Sequence, residues 1–223
     1  MMKLGLDEDV RKEATSFTDT LKAILARTKT QEGLVVTCIG ANGTPDDMLS
    51  LMTRIGRALD SRGAILRSGG ANEADLAFEA GWRNAGACEI FHPWHGFHPK
   101  TEGRSLDEGR ILKRRRPNQG MGSPIVLVGA HLDEAEEIAS STHPAWEKCN
   151  EGTRSLHVRA IPQVVGASLT RPSDLMVCWT DDGRASGSIA HAMRYAQRKG
   201  VQIVNLKRQA DRQAILEALG LED

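Results

Sequence analysis

"LVVTCIGANGTP", residues 34–45, and "AILRSGGANEADLAFEAGW", residues 64–82, decide which fold this chain is expected to adopt. Each stretch begins with a continuous apolar run, which is typical of a strand buried on both faces. Each run ends in a glycine-bearing turn, and a helical pattern follows at once. Strands that alternate with helices in this way indicate βαβ units and a parallel sheet.

The rest of the chain continues this alternation. It predicts a Rossmann-like, doubly wound α/β fold with a mainly parallel sheet, helices on both faces and an N-terminal helix. We expect a helical extension at 1–32 and a single domain at 33–223, with a long polar loop at about 92–123. The predicted strands are 34–40, 63–70, 87–93, 124–130, 173–180 and 201–206. The predicted helices are 7–29, 46–62, 73–84, 133–142, 151–165, 188–199 and 208–219.

The composition is that of an ordinary globular protein. Lys plus Arg and Asp plus Glu both number 29, so the net charge gives no argument for DNA or membrane binding. The first ten residues lack the apolar centre of a signal peptide, and a cytoplasmic protein without a membrane partner is expected. The four widely spaced cysteines are interpreted as buried thiols, rather than a disulfide framework or a zinc site: Cys38, Cys88, Cys149 and Cys178.

Three glycine-bearing loops follow predicted strands, at residues 40–44, 68–72 and 180–188. Ligands of open α/β sheets bind outside the carboxyl ends of the strands. Each loop precedes a helix, whose first amides offer an anion site, and glycine lets a phosphate approach the backbone. The alternative is that the glycines only permit tight turns. The phosphate-binding candidates in and beside these loops are Gly40, Asn42, Thr44, Ser68, Gly69, Gly70, Ala71, Asn72, Asp75, Thr180, Gly183, Ser186, Gly187 and Ser188.

The stretch "RSGGANEADLAFEAG" resembles the Ser-Gly-Gly turn of the DNA-recombination-mediator protein A (Smf) family. That family belongs to the SLOG superfamily of Rossmann-like nucleotide-binding domains, which also contains the lonely-guy phosphoribohydrolases. "CIGANGTP", "HPAWEKCNEGTRSLHVRAIPQVVG" and "CWTDDGRASGSIAHAMRYA" extend the resemblance over about residues 33–206, closest to small phage-type members. It implies a nucleotide-binding domain and a homodimer or higher homo-oligomer.

Four positions qualify this resemblance. Asp75 is expected to bind backbone amides or a ribose hydroxyl, with helix capping as the alternative. Glu73 replaces the mediator family's third glycine, and a carboxylate there competes with an incoming anion. His191 stands where the phosphoribohydrolases carry a catalytic Glu, so His191 and Glu79 are the acid/base candidates if the protein is a hydrolase.

Further candidates lie outside the three loops. Arg154 and Arg159 can clamp a phosphate, or lie on a solvated helix face. The loop at 92–123 carries a basic segment at 104–116 that can contact nucleic acid. In the same loop, Trp94 or Phe97 can stack on a base. Trp179 can also stack, with core packing as its alternative. His92, His95 and His98 are three apart, but with no cysteine or acidic partner nearby no metal is expected.

Together these features predict a protein that binds a nucleotide or nucleotide-derived signal without a cofactor, in a sensing or sequestering role. The first alternative is a nucleotide hydrolase that cleaves an N-glycosidic or phosphoester bond. The second is a recombination mediator that binds single-stranded DNA.

Overall fold

The computed structural model of this chain describes residues 16–29, 33–71, 73–83, 87–97 and 125–223. Within these residues one five-stranded sheet forms, and every strand pair is parallel. The strand order is β3-β2-β1-β4-β5, so the winding direction reverses between β1 and β4. The strands are β1 (Val35–Gly40), β2 (Ile65–Ser68), β3 (Cys88–Ile90), β4 (Leu175–Trp179) and β5 (Gln202–Asn205).

Helices cover both faces of the sheet. They are α1 (residues 16–25), α2 (Asp46–Asp60), α3 (Glu73–Gly81), α4 (Ala130–Thr142), α5 (Glu151–Val165), α6 (Ala190–Arg198) and α7 (Gln209–Leu219). One hydrophobic cluster joins α1, α2, α3 and α7 to the sheet, and a second joins α4, α5 and α6 to its other face. This is the doubly wound architecture that the sequence predicts.

Strand β1 shows why its sequence reads as a continuous apolar run. Val36 and Cys38 pack in the first cluster, whereas Ile39 packs in the second. Thr37 is buried as well, and its hydroxyl donates to the Gln163 carbonyl at 2.6 Å. Both faces of the strand are therefore covered, as expected of a central strand in a parallel sheet.

The N-terminal helix α1 packs against the first hydrophobic cluster and against α7. Leu21 and Leu25 are buried in the first cluster, and Lys22 pairs with Glu217 of α7 at 2.8 Å. The predicted helix begins at residue 7, but residues 7–15 lie outside the described part of the chain. Among the described residues, no helix combines the length and the apolar character needed to cross a bilayer.

The predicted strand at 124–130 is wrong. Ile125 alone forms a parallel bridge, to Phe91, and α4 already begins at Ala130. Val128 in the middle of this run is 65% exposed. An apolar run becomes a strand only where a neighbouring strand satisfies its amides, and β3 beside it spans three residues. The other strands and helices lie within a few residues of their predicted bounds wherever the structure describes them.

Helices α2 and α3 approach each other closely where glycines face the opposing backbone. A Cβ atom placed on Gly56 would lie 2.5 Å from the Phe78 carbonyl oxygen, and one on Gly81 would meet the Thr53 carbonyl. The Thr53 hydroxyl donates to the Ala77 carbonyl at 2.9 Å across the same contact. This close packing fixes α3 and the turn that precedes it.

Gly56→Ala is expected to destabilise the protein by ~1–3 kcal/mol, because the new methyl group overpacks the contact between α2 and α3. Urea unfolding gives this difference. Gly152→Ala in α5 is the matched control, since its Cβ meets only the Asn150 side chain at 3.7 Å. That control should be neutral or stabilising by up to ~1 kcal/mol. Equal stability of Gly56→Ala and wild type would contradict the packing described here.

Candidate functional site

A cavity of about 540 Å³ opens at the carboxyl end of β1, beside the point where the strand order reverses. This is where an open α/β sheet forms its ligand crevice. Its size suits a small organic ligand. The cavity is lined by Ile39, Gly40, Asn42, Gly43, Thr44, Leu49, Ala71, Glu73, Asp75, Trp94, Phe97, Asn150, Gly152, Thr153, Leu156, Arg159, Ala160, Gln163, Ser188, Ile189 and Ala192.

The loop after β1 forms one wall of the cavity through Asn42, Gly43 and Thr44. The Thr44 hydroxyl is turned to the protein, where it donates to the Ala41 carbonyl at 2.8 Å. Helix α2 then begins with Pro45 as its N-cap, which provides no side-chain acceptor for the first-turn amides. Residues 45–48 of this first turn are not part of the described cavity lining, and two aspartates there, Asp46 and Asp47, compete with any anion for the amides.

Asp75 is the buried carboxylate of the cavity. It accepts hydrogen bonds from the amides of Gly40 at 3.2 Å and Ala71 at 3.0 Å, and also from the amide of Gly69. Burial raises the pKa of Asp75, while the Arg159 guanidinium and these amides act in the opposite direction. The prediction that Asp75 binds backbone amides is therefore confirmed, and its partners belong to the protein itself.

Glu79 lies behind Asp75 and does not line the cavity. It accepts from the Ser68 hydroxyl at 2.8 Å and from the amide of Gly70. Burial, followed by the nearby charge of Asp75, raises the pKa of Glu79 to about 8. The expectation of free amides in the turn after β2 is thus wrong for Gly69, Gly70 and Ala71, because two internal carboxylates occupy them.

The glycines at the ends of β1 and β2 are explained by close packing. A Cβ atom on Gly40 would overlap the Ala74 side chain of α3. A Cβ atom on Gly69 would lie 2.5 Å from the Gln163 amide nitrogen and 2.8 Å from the Arg159 guanidinium. At these two positions the structure supports the alternative interpretation, in which glycine permits a tight approach of a helix.

Arg159 of α5 is the one cationic side chain in the described lining of the cavity. Its Nη1 donates to the Gly69 carbonyl at 3.3 Å, and its buried Nε has no hydrogen-bond partner among the described residues. The guanidinium carbon lies 6.0 Å from the centre of the Phe97 ring. Burial lowers the pKa of Arg159 and the charge of Asp75 raises it, so the guanidinium and the carboxyl group attract each other across the cavity lining.

Two aromatic side chains stand at the rim of the cavity. Trp94 and Phe97 pack edge to face, with ring centres 5.3 Å apart, and Trp94 is 43% exposed. They belong to the loop after β3, as the sequence predicts for side chains that edge the cleft. An exposed indole beside a cavity is a suitable surface for stacking a planar ring. Trp179 is instead buried at the end of β4, which confirms the alternative that this side chain packs in the core.

The third glycine-bearing loop reaches the cavity through Ser188. Thr180 and Ser186 hydrogen-bond within the loop, and the Gly183 carbonyl accepts from the Arg208 side chain at 2.9 Å. Gly187 is exposed, with a left-handed φ of 64°, and does not line the cavity. All three loops therefore reach the cavity, but the second and third each do so through a single residue, Ala71 and Ser188.

Two other predicted side chains lie away from this cavity. Arg154 lines a separate cavity of about 310 Å³ and lies 3.6 Å from a Glu147 carboxylate oxygen. His191 is 1% exposed on α6, and its Nε2 hydrogen-bonds the Thr142 hydroxyl at 2.8 Å. Asn72, His98 and the basic segment 104–116 lie outside the described residues.

Helix α5 supplies a wall of the cavity that the sequence interpretation largely missed. Beside Arg159, the lining includes Thr153, Leu156 and Gln163, which recur every three or four residues and so share one helix face. Asn150 caps the helix by accepting from the Thr153 amide at 2.9 Å. This helical spacing was the signal that could have extended the prediction from Arg159 to the whole face.

Comparisons of the chain with protein-family models, with curated proteins and with solved structures find no match. The fold and the cavity define the protein as a doubly wound α/β protein with a ligand-sized crevice at the reversal of strand order. Membership of the SLOG superfamily stays a prediction.

Glu79→Gln is expected to remove a pH dependence of stability. A pKa raised from 4.5 to about 8 means that the folded protein binds more protons, so its stability falls as the pH rises between these values. The effect is at most about 1.4 kcal/mol per unit of pKa difference. Urea unfolding between pH ~5 and ~9 measures it. The exposed Glu137→Gln is the control and should keep the wild-type slope; an unchanged slope in Glu79→Gln would contradict a buried, proton-binding Glu79.

Proposed function

We propose that this protein binds a nucleotide or nucleotide-derived signal in the cavity at the end of β1, in a sensing or sequestering role. The observation that carries the proposal is one cavity that combines an exposed aromatic rim with a partly buried arginine, whose buried Nε has no hydrogen-bond partner among the described residues. A base stacks at the rim, and a phosphate lies towards Arg159 and the loop 41–44.

The aromatic rim supports the choice of a base-containing ligand. Trp94 is partly exposed without being needed in either hydrophobic cluster, so its indole can meet a planar ring at little cost to the fold. Stacking of a base on an aromatic side chain contributes ~1–3 kcal/mol. The apolar lining from Ile39, Leu49 and Leu156 adds surface for a ribose or base.

The charges of the cavity limit how many phosphates it accepts. Arg159 is the cation, and it is already opposed by Asp75, while Glu73 adds another carboxylate to the lining. Each further phosphate would face these carboxylates without a new positive partner from the described lining. We therefore expect nucleoside monophosphates or cyclic nucleotides to bind more tightly than triphosphates.

The geometry favours binding over the hydrolase alternative. A hydrolase built on His191 or Glu79 would need one of them beside the scissile bond, and neither lines the cavity. A mediator of single-stranded DNA would depend on the basic segment 104–116, outside the described residues. Homo-oligomerisation likewise stays a prediction.

Isothermal titration with a panel of nucleoside mono- and triphosphates and cyclic nucleotides tests the proposal. At least one monophosphate or cyclic nucleotide should bind, and Trp94→Ala should weaken it by roughly tenfold, which corresponds to ~1.4 kcal/mol of lost stacking. Arg154→Gln, in the other cavity, is the control and should bind like wild type.

Two results would overturn the proposal. One is the absence of binding by any nucleotide to folded wild-type protein. The other is loss of binding in Arg154→Gln with full binding in Trp94→Ala, which would move the site to the cavity beside α4.

A further inference from the structure

We propose that His143, Cys149 and His157 form a binding site for one Zn²⁺ ion, beyond and independent of the nucleotide site. These three residues, here called the His–Cys triad, each place one potential ligand atom within 4.8 Å of the others. Imidazole nitrogens and a cysteine thiolate are ligands that zinc takes in proteins. The sequence suggested no metal here, because the three residues belong to different elements.

Local structure orders the triad before any metal arrives. His143 is the C-cap of α4, and its Nδ1 accepts from the Ala145 amide at 3.2 Å. The Cys149 thiol donates to the Ala145 carbonyl at 3.5 Å and lies 3.9 Å from His143 Nδ1. Asn150 then starts α5, which brings His157 beside His143, with ring centres 4.1 Å apart.

His191 brings a further imidazole to the edge of the triad. Its ring stands nearly perpendicular to those of His143 and His157, at 5.3 and 5.0 Å between ring centres. The Thr142 hydroxyl donates to the Ile138 carbonyl at 2.6 Å, so its oxygen accepts the hydrogen bond that His191 Nε2–H donates. The buried Nδ1 of His191 then carries a lone pair, and it has no hydrogen-bond partner among the described residues.

The packing of the imidazoles suits a cation. The His143 and His157 rings are tilted by 36° to each other, and both residues are partly exposed. Neutral histidines offer the lone pairs that a metal requires.

Binding of one zinc ion releases one proton from the protein. The Cys149 S–H bond breaks, the sulfur binds Zn²⁺ as a thiolate, and the proton passes to the solvent. Both triad histidines bind as neutral ligands. Arg194 places one positive charge near the site, which the thiolate formed on binding offsets.

The test uses the full chain, stripped with a chelator and titrated with zinc chloride. We expect one ion per chain and a rise in melting temperature with zinc, because the metal binds the folded form. Replacement by Co²⁺ should give a thiolate-to-cobalt charge-transfer band. Cys149→Ser should abolish that band. Cys149→Ser and His157→Gln should each weaken zinc binding by at least ~100-fold, because changes in residues that only support metal ligands already weaken binding by up to ~100-fold.

Cys88→Ser and His95→Gln are the matched controls and should bind zinc like wild type. Circular dichroism establishes that each variant is folded, and the cobalt spectrum of the wild type decides the matter if a triad variant does not fold. Three results would overturn the proposal: no zinc binding by the wild type, no sulfur-to-cobalt band, or wild-type zinc binding in folded Cys149→Ser and His157→Gln.

Discussion

The buried carboxylate of Asp75 joins the end of β1, the turn after β2 and the first turn of α3. It accepts from the amides of Gly40 and Ala71, which lie on separate strand-to-helix connections. A carboxylate removed from water costs several kcal/mol unless hydrogen bonds and an opposite charge replace the lost solvation. The amides and Arg159 replace it here, and in doing so they set the floor of the cavity.

This arrangement changes how the glycine-bearing turns should be interpreted. A strand that runs into a helix leaves unsatisfied amides, and from the sequence alone they look like an anion site. In this chain Asp75, in the first turn of the next helix, accepts from the amides of Gly69 and Ala71, and the carboxyl group of Glu79, one turn further on, accepts from the amide of Gly70. The proposed phosphate therefore has Arg159 and the loop after β1 as its remaining candidate partners.

The sequence predicts what depends on local pattern and misses what depends on partners. The bounds of α5 are predicted correctly, because its Asn cap, its helical pattern and the glycine after it all act locally. The strand at 124–130 is wrong, because an apolar run does not reveal whether a neighbour pairs with it. Of the site, the loop after β1, Asp75, Arg159 and the rim aromatics were predictable. The capping of the turn by Glu79 and the meeting of His143 with His157 were not, since both arise from tertiary contacts.

Helix α5 belongs to both proposed sites, and its packing decides how strongly they influence each other. Arg159 lines the cavity at the end of β1, whereas His157 faces the histidines of α4 and α6. The second half of the helix is buried through Ile161 and Val164, and Asn150 caps its start. Because the core holds one end of this helix and the cap fixes the other, metal binding is expected to change its position or mobility very little. Since coupling between sites requires an element with two accessible arrangements, we expect both sites to be preformed and nearly independent.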